Sequence, residues 1–149
     1  MTDSDEPAHV HIKLMAGRGS GGSPVFEVLP ARSLGGDLFE LGGSPGLTLG
    51  CAAGDVLRVA DDGAFEVAER GENMCVQAYR GAPFTSELLA ELTTAVQELG
   101  GLVEAPPTRQ FIVVTVARAV GESVVEEAMD AWAAGIDQAE WWWAQPDEA

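Results

Sequence analysis

Between residues 73 and 145 the spacing of apolar residues switches repeatedly between a period of two and a helical period. This ordering constrains the fold more than any other feature of the chain. "NMCVQAYR" (73–80) reads as a strand. "TSELLAELTTAVQELGG" (85–101) reads as a helix with Leu88, Leu89, Leu92, Val96 and Leu99 as its apolar stripe. Thr85 or Ser86 caps it, Glu87 sits in its first turn, and Gly100 and Gly101 end it. "LVEA" is a strand, "PPTRQ" a turn, and "FIVVTVA" (111–117) a β-branched run typical of a central strand buried on both faces. "ESVVEEAMDAWAAG" (122–135) is a second helix, with Ser123 and Glu126 as a capping box and Val125, Met129, Trp132 and Ile136 along one side. "EWWWAQ" closes the series as a strand. Strand–helix–strand–strand–helix–strand is the split pattern of the ferredoxin-like arrangement, with two helices on one face of a four-stranded antiparallel sheet.

The first part of the chain has a different texture. "HVHIKLMA" (9–16) alternates Val10, Ile12 and Leu14 with His9, His11 and Lys13, and residues 1–8 read as a disordered acidic tail. Further short strands are expected at 25–31, 37–41, 54–60 and 64–70, separated by "LGGD", "GGSPG" and the hairpin turn "DDG". Short strands with glycine-rich corners suggest a small bent sheet or partial barrel. The predicted fold is therefore α+β: a β unit over 9–70 packed on a ferredoxin-like unit over 73–145. The linker "RGEN" is so short that the two are expected to form one cooperative body.

Consecutive strand residues point to opposite faces. Trp141 and Trp143 then share one face, and Trp142 takes the other. A buried tryptophan removes roughly 150–250 Å² from water, an upper value of ~4–6 kcal/mol at ~25 cal/mol/Å². Such rings are either covered by the N-terminal strands or form a binding patch for a partner or a second copy of the chain. Trp132, on the second helix, joins them as a candidate contact residue. A terminal strand at a sheet edge would also invite pairing into a homodimer.

Charge narrows the partners. Twenty-four acidic residues face eight basic ones across 149 residues, a net charge of −16. Such a surface repels phosphate backbones and anionic lipid headgroups, so nucleic acid and membrane surfaces are excluded in favour of a basic protein or a small ligand. "MTDSDEPAHV" lacks the basic start and apolar run of a secretory signal, and no apolar stretch approaches the ~20 residues that span a bilayer. A cytoplasmic location is expected, with Cys51 and Cys75 reduced and buried as small hydrophobes.

Motifs for catalysis are weak. Gly17, Gly19 and Gly22 spell G-x-G-x-x-G after a strand, but a second strand follows where a pyrophosphate site needs a helix. His9 and His11 share a strand face, yet the chain has no third histidine, so no metal is expected. Neither cysteine has an activating base beside it, and Asp55 near Cys51 would raise a thiol pKa. Acid pairs such as Asp61–Asp62 and Glu126–Glu127, or Asp37 with Glu40, are common in so acidic a chain. No cofactor is implied.

The segment "FEVLPARSLGGDLFELGGSPGLTLGCAAGDVLRVADDGAFEV" resembles a bacterial family, the domain of unknown function 4265. Glu27, Leu29 and Ala31 fit its Glu-x-Leu-Trp-Ala stretch, with Pro30 in the tryptophan's place. Gly43, Ser44, Pro45 and Gly46 fit its Asn-x-Pro-Phe-Phe turn, with asparagine and phenylalanine replaced. Gly50, Gly54, Asp55 and Val56 fit its Gly-x-x-x-Gly-Asp-Val-Val segment. The order of elements after Tyr79 and the aromatic C-terminal strand are similar too, so the resemblance runs from His9 to Gln145. It implies no activity. Gly54, Asp55, Ser44 and Pro45 read as structural turn residues, the Asp55 carboxylate accepting backbone N–H groups.

The function expected is a small, acidic, non-catalytic binding protein, most specifically an inhibitor or immunity-type protein for a basic partner. The alternatives are an accessory protein holding a small molecule or peptide in a tryptophan-lined pocket, and an enzyme with an unrecognised carboxylate site.

Overall fold

The computed structural model describes residues 9–144. The acidic segment 1–8 and residues from Gln145 onward lie outside the described residues. The first unit is a five-stranded antiparallel sheet in chain order: β1 (His9–Arg18), β2 (Pro24–Gly35), β3 (Leu38–Leu41), β4 (Val56–Val59) and β5 (Phe65–Glu69). Alternation along these strands sends Ile12, Leu14, Leu29, Ala31, Leu41 and Leu57 into one core, with Cys51 among them. The glycine-rich segment after β1 makes a single 3-10 turn, Ser20–Gly22, and leads into β2 rather than a helix. At the opposite end of the strand order, the β4–β5 turn is closed by bonds from Gly63 N to Ala60 O and from Ala64 N to Asp62 Oδ1. Met15 N donates to Gly63 O at 2.9 Å, tying that turn back to β1.

The second unit runs β6 (Asn73–Tyr79), α1 (Ser86–Glu98), β7 (Leu102–Glu104), β8 (Phe111–Ala117), α2 (Glu122–Ala133) and β9 (Glu140–Trp143). Its sheet has the order β7-β8-β6-β9, and every neighbouring pair is antiparallel. The protein is thus α+β, with two antiparallel sheets and two α-helices among the described residues. The β-branched run of β8 is flanked by strands on both sides, and Ile112, Val113, Val114 and Val116 are all buried. Met74, Val76 and Ala78 of β6 face Leu92 and Val96 of α1 and Val125, Met129 and Trp132 of α2. Trp132 also donates its indole N–H to Leu88 O at 2.9 Å and packs on Phe84 with ring centroids 5.4 Å apart.

The helix starts differ from each other. Thr85 caps α1, its hydroxyl accepting from Leu88 N at 3.1 Å. The capping box expected at Ser123 and Glu126 does not form. Gly121 is the N-cap of α2, and no side chain bonds there. Ser123 lies inside the first turn, and Glu126 is engaged elsewhere, as described below. Among the described residues, no helix is long and apolar enough to cross a membrane.

The sheet face opposite the helices carries Cys75 and Gln77 of β6, and Val113 and Thr115 of β8. The connection between β3 and β4, residues 42–55, lies over that face: Cys75, Val113, Ala52 and Ala144 form one small buried cluster. The β unit therefore meets the helix-bearing unit through this connection, and the site is built around it.

Candidate functional site

Glu27 lies in line with Leu29 and Ala31 on the inner side of β2, an unusual place for a carboxylate. The connection explains it. Glu27 Oε2 accepts from Gly46 N at 2.7 Å, and Oε1 accepts from Leu47 N at 3.1 Å, Thr48 N at 2.9 Å and Thr48 Oγ1 at 2.7 Å. Hydrogen bonds to a charged group contribute roughly 1.5–3 kcal/mol each, so residues 46–48 are clamped to β2.

The other side of the same segment is held by β6 and β8. Gln77, fully buried, donates from Nε2 to Pro45 O at 2.9 Å and to Thr48 O at 3.0 Å. Its Oε1 accepts from Trp142 Nε1 at 2.8 Å. Ser44 Oγ accepts from Thr115 Oγ1 at 2.7 Å and from Ala53 N at 3.1 Å. Asp55, also buried, accepts from Ala52 N at 3.0 Å and Gly71 N at 2.7 Å, and pairs with Arg70 Nη1 at 3.2 Å. Gly54 stands beside it with φ of +93°, a left-handed conformation that disfavours any other residue. Ser44, Pro45, Gly54 and Asp55 are thus the joints between the connection and its two sheets.

Both cysteines are free and buried. Burial pushes the Cys51 thiol up to about 12, with the Asp55 charge adding to the effect. Burial likewise takes Cys75 to about 12, opposed by a hydrogen bond with Ser44. Neither is a thiolate nucleophile at neutral pH.

The tryptophans of β9 divide as strand alternation requires. Trp141 and Trp143 lie on the helix side with centroids 6.1 Å apart and planes at 83°. Trp141 donates to Asp130 Oδ1 and Trp143 to Glu126 Oε2, both at 3.0 Å and both on α2. Trp142 lies on the other side, on Gln77. The three rings are half-buried, and each indole N–H has an internal partner.

A concavity lies elsewhere, between the connection and the β7–β8 side of the second sheet. It has a volume of about 360 Å³ and is lined chiefly by Glu27, Leu47, Glu104, Pro106, Phe111 and Val113. No tryptophan lines it. Phe111 is braced by Tyr79, ring centroids 4.9 Å apart. Glu104 stands opposite Val113 in the β7–β8 pair and is exposed. The Ser44 hydroxyl at its edge is committed to Thr115 and Ala53. The arrangement offers carboxylates beside apolar carbon, a lining that can take a cation with an apolar stem.

Glu104, Leu47 and Phe111 carry no local signature in the sequence. Glu27 had one: an acid in register with two core positions of a strand. The histidine pair stays on the exposed side of β1, with His9 opposite Arg32, and no group of three or more metal-ligating side chains forms among the described residues. Asp61 and Asp62 lie in the exposed hairpin turn, and Asp37 pairs with Arg58 at 3.1 Å.

A family model described as "Domain of unknown function (DUF4265)" matches residues 27–143. Its limits fall at Glu27 and Trp143, so it spans the whole hydrogen-bonded path from β2 to β9. A solved structure described as "Novel crystal structure of a hypothetical protein from Neisseria gonorrhoeae" is similar in fold, with a TM-score of 0.65 and 12% identity over 96% of this chain and 97% of that one. No curated protein matches the sequence.

Proposed function

The chain belongs to the DUF4265 family, and from its own residues we propose that it is a non-catalytic binding protein for a basic partner, of the inhibitor or immunity type. The cleft carries this reading: Glu104 and the backbone-bound Glu27 line it together with Phe111 and Val113, in a body of net charge −16. Charge complementarity speeds encounter and rejects acidic competitors, while an apolar floor supplies contact area. Partner binding in place of catalysis is supported by the commitments of the buried polar groups. Glu27, Asp55, Ser44 and Gln77 each hold backbone, leaving Glu104 as the cleft carboxylate exposed to a guest.

The second unit is proposed to be ferredoxin-like, a reading supported by the strand order β7-β8-β6-β9 with both helices packed on one core. The bond from Met15 to Gly63 supports a partial barrel for the first. Two free buried thiols favour a reducing, cytoplasmic setting. β9 ends its sheet, which favours self-association along that edge as a separate property.

Affinity capture from a native extract, followed by reconstitution with the purified partner, tests the main reading. The expected partner is basic, and its affinity falls steeply between about 0.05 and 0.5 M salt. A partner that is acidic, or binding indifferent to salt, would rule the reading out.

A further inference from the structure

We propose that the cleft receives an extended basic segment of the partner, laid along the open edge of β7. This rests on the binding reading above and specifies what is bound and where. β7 ends the strand order β7-β8-β6-β9, so its outer edge pairs with no strand among the described residues. Free N–H and C=O groups on such an edge accept an added strand.

The side chains of β7 are arranged for this. Val103 packs into the helix-covered core. Leu102 and Glu104 therefore point to the other face, opposite Thr115 and Val113. Leu102 is 55% exposed, and Leu47, on the connection, is 45% exposed. Leu47 thus lines the cavity with Glu104, and Leu102 is the next residue of β7 on the face that carries Glu104.

The cavity size selects the guest. At about 360 Å³ it falls near the lower end of the roughly 300–1,000 Å³ of ligand sites, which admits a side chain and not a helix. In an added strand every second side chain faces the cleft. A lysine or arginine there lays its methylenes on Phe111 and Val113 and brings its charge to Glu104. An apolar residue two positions away meets Leu102. An acidic segment is repelled by the whole molecule, whose net charge is −16.

The test titrates the full chain with synthetic peptides of about ten residues: one alternating lysine with valine, one alternating glutamate with valine, and one alternating lysine with glycine. Amide chemical shifts report the location. The lysine–valine peptide is expected to shift Leu102, Val103, Glu104 and Leu47 and to bind more tightly than the lysine–glycine peptide, while the glutamate peptide does not bind. Glu104→Lys and Leu47→Ser, both at exposed positions, are each expected to weaken binding, the first roughly tenfold. Binding that survives both substitutions, or shifts centred elsewhere, overturns the β7 site and leaves the basic-partner reading standing. No salt-sensitive binding of either lysine peptide also overturns the inference, and the capture experiment then decides the wider reading by itself.

Discussion

Trp142 donates its indole N–H to Oε1 of Gln77, its direct cross-strand neighbour, at 2.8 Å. An indole only donates, so this bond decides which end of the Gln77 amide is oxygen. Nε2 is thereby turned toward Pro45 O and Thr48 O, and one side chain joins β9, β6 and the connection.

Gln77→Leu keeps the volume and removes all three bonds. Each buried group left without a partner costs about 1–3 kcal/mol, so a loss of about 3 kcal/mol or more is expected. Trp142→Phe strands one acceptor and should cost about 1–2 kcal/mol. Urea midpoints at unchanged slope measure both, and equal effects would contradict the three-to-one count of bonds.

Glu27→Gln replaces a carboxylate by an amide whose N–H₂ must face backbone N–H donors. A loss of about 2 kcal/mol is expected. Amide exchange at Gly46 and Thr48 should accelerate well ahead of exchange in β6. Unchanged protection at those amides would show that the carboxylate does not hold the connection.

Both thiols titrate near 12 in the folded protein, against an ordinary value of 9.0. The unfolded chain therefore releases these protons first. Their contribution to stability is fully present below pH 9 and is lost as pH rises from about 9 to about 12. In denaturant titrations the Cys51→Ala, Cys75→Ala double variant should lose less stability over that window than the parent. Parallel curves would contradict this. Below pH 9 both thiols should react with an aromatic disulfide reagent only as fast as the protein opens.

A methyl group at Gly71 would sit 2.5 Å from Gly54 C and O and 3.0 Å from Asp55 N, all backbone atoms. Gly71→Ala should cost about 2 kcal/mol or more because no flexible side chain can give way. The melting temperature should fall by about 4 °C or more. A substitution at Gly135, with nothing within 4 Å, is the control.

What was legible in the sequence followed from local rules. The β8 run is β-branched and continuous because both its faces are covered, and the Thr85 cap needs only residues within four positions of itself. The facing of the tryptophans follows from period two alone. Most of the omissions share one cause, partners distant in sequence, while the start of α2 is a local error. Glu126 had the spacing of a capping box, yet Trp143, seventeen positions on, is what it bonds. Gly121 supplies the N-cap of α2, which leaves Ser123 inside the helix. Register with Leu29 and Ala31 marks Glu27 as inward-facing, but the residues it acts on lie 19 to 21 positions away and no local pattern names them. Glu104 and Leu47 come to one cleft only once the connection has been placed over the second sheet.

Gly50 N donates to Ala144 O at 2.6 Å, and Ala144 N to Cys75 O at 2.9 Å, one step beyond the Trp142 bond. Everything these groups fasten precedes them in the order of synthesis. A nascent chain emerging from the ribosome can thus join its sheets through Ser44, Thr115 and Gln77 before these last bonds are available. The final latch arrives after its door, and a product cut short before residue 140 would lack the edge strand β9 and keep only the earlier fastenings of the seam.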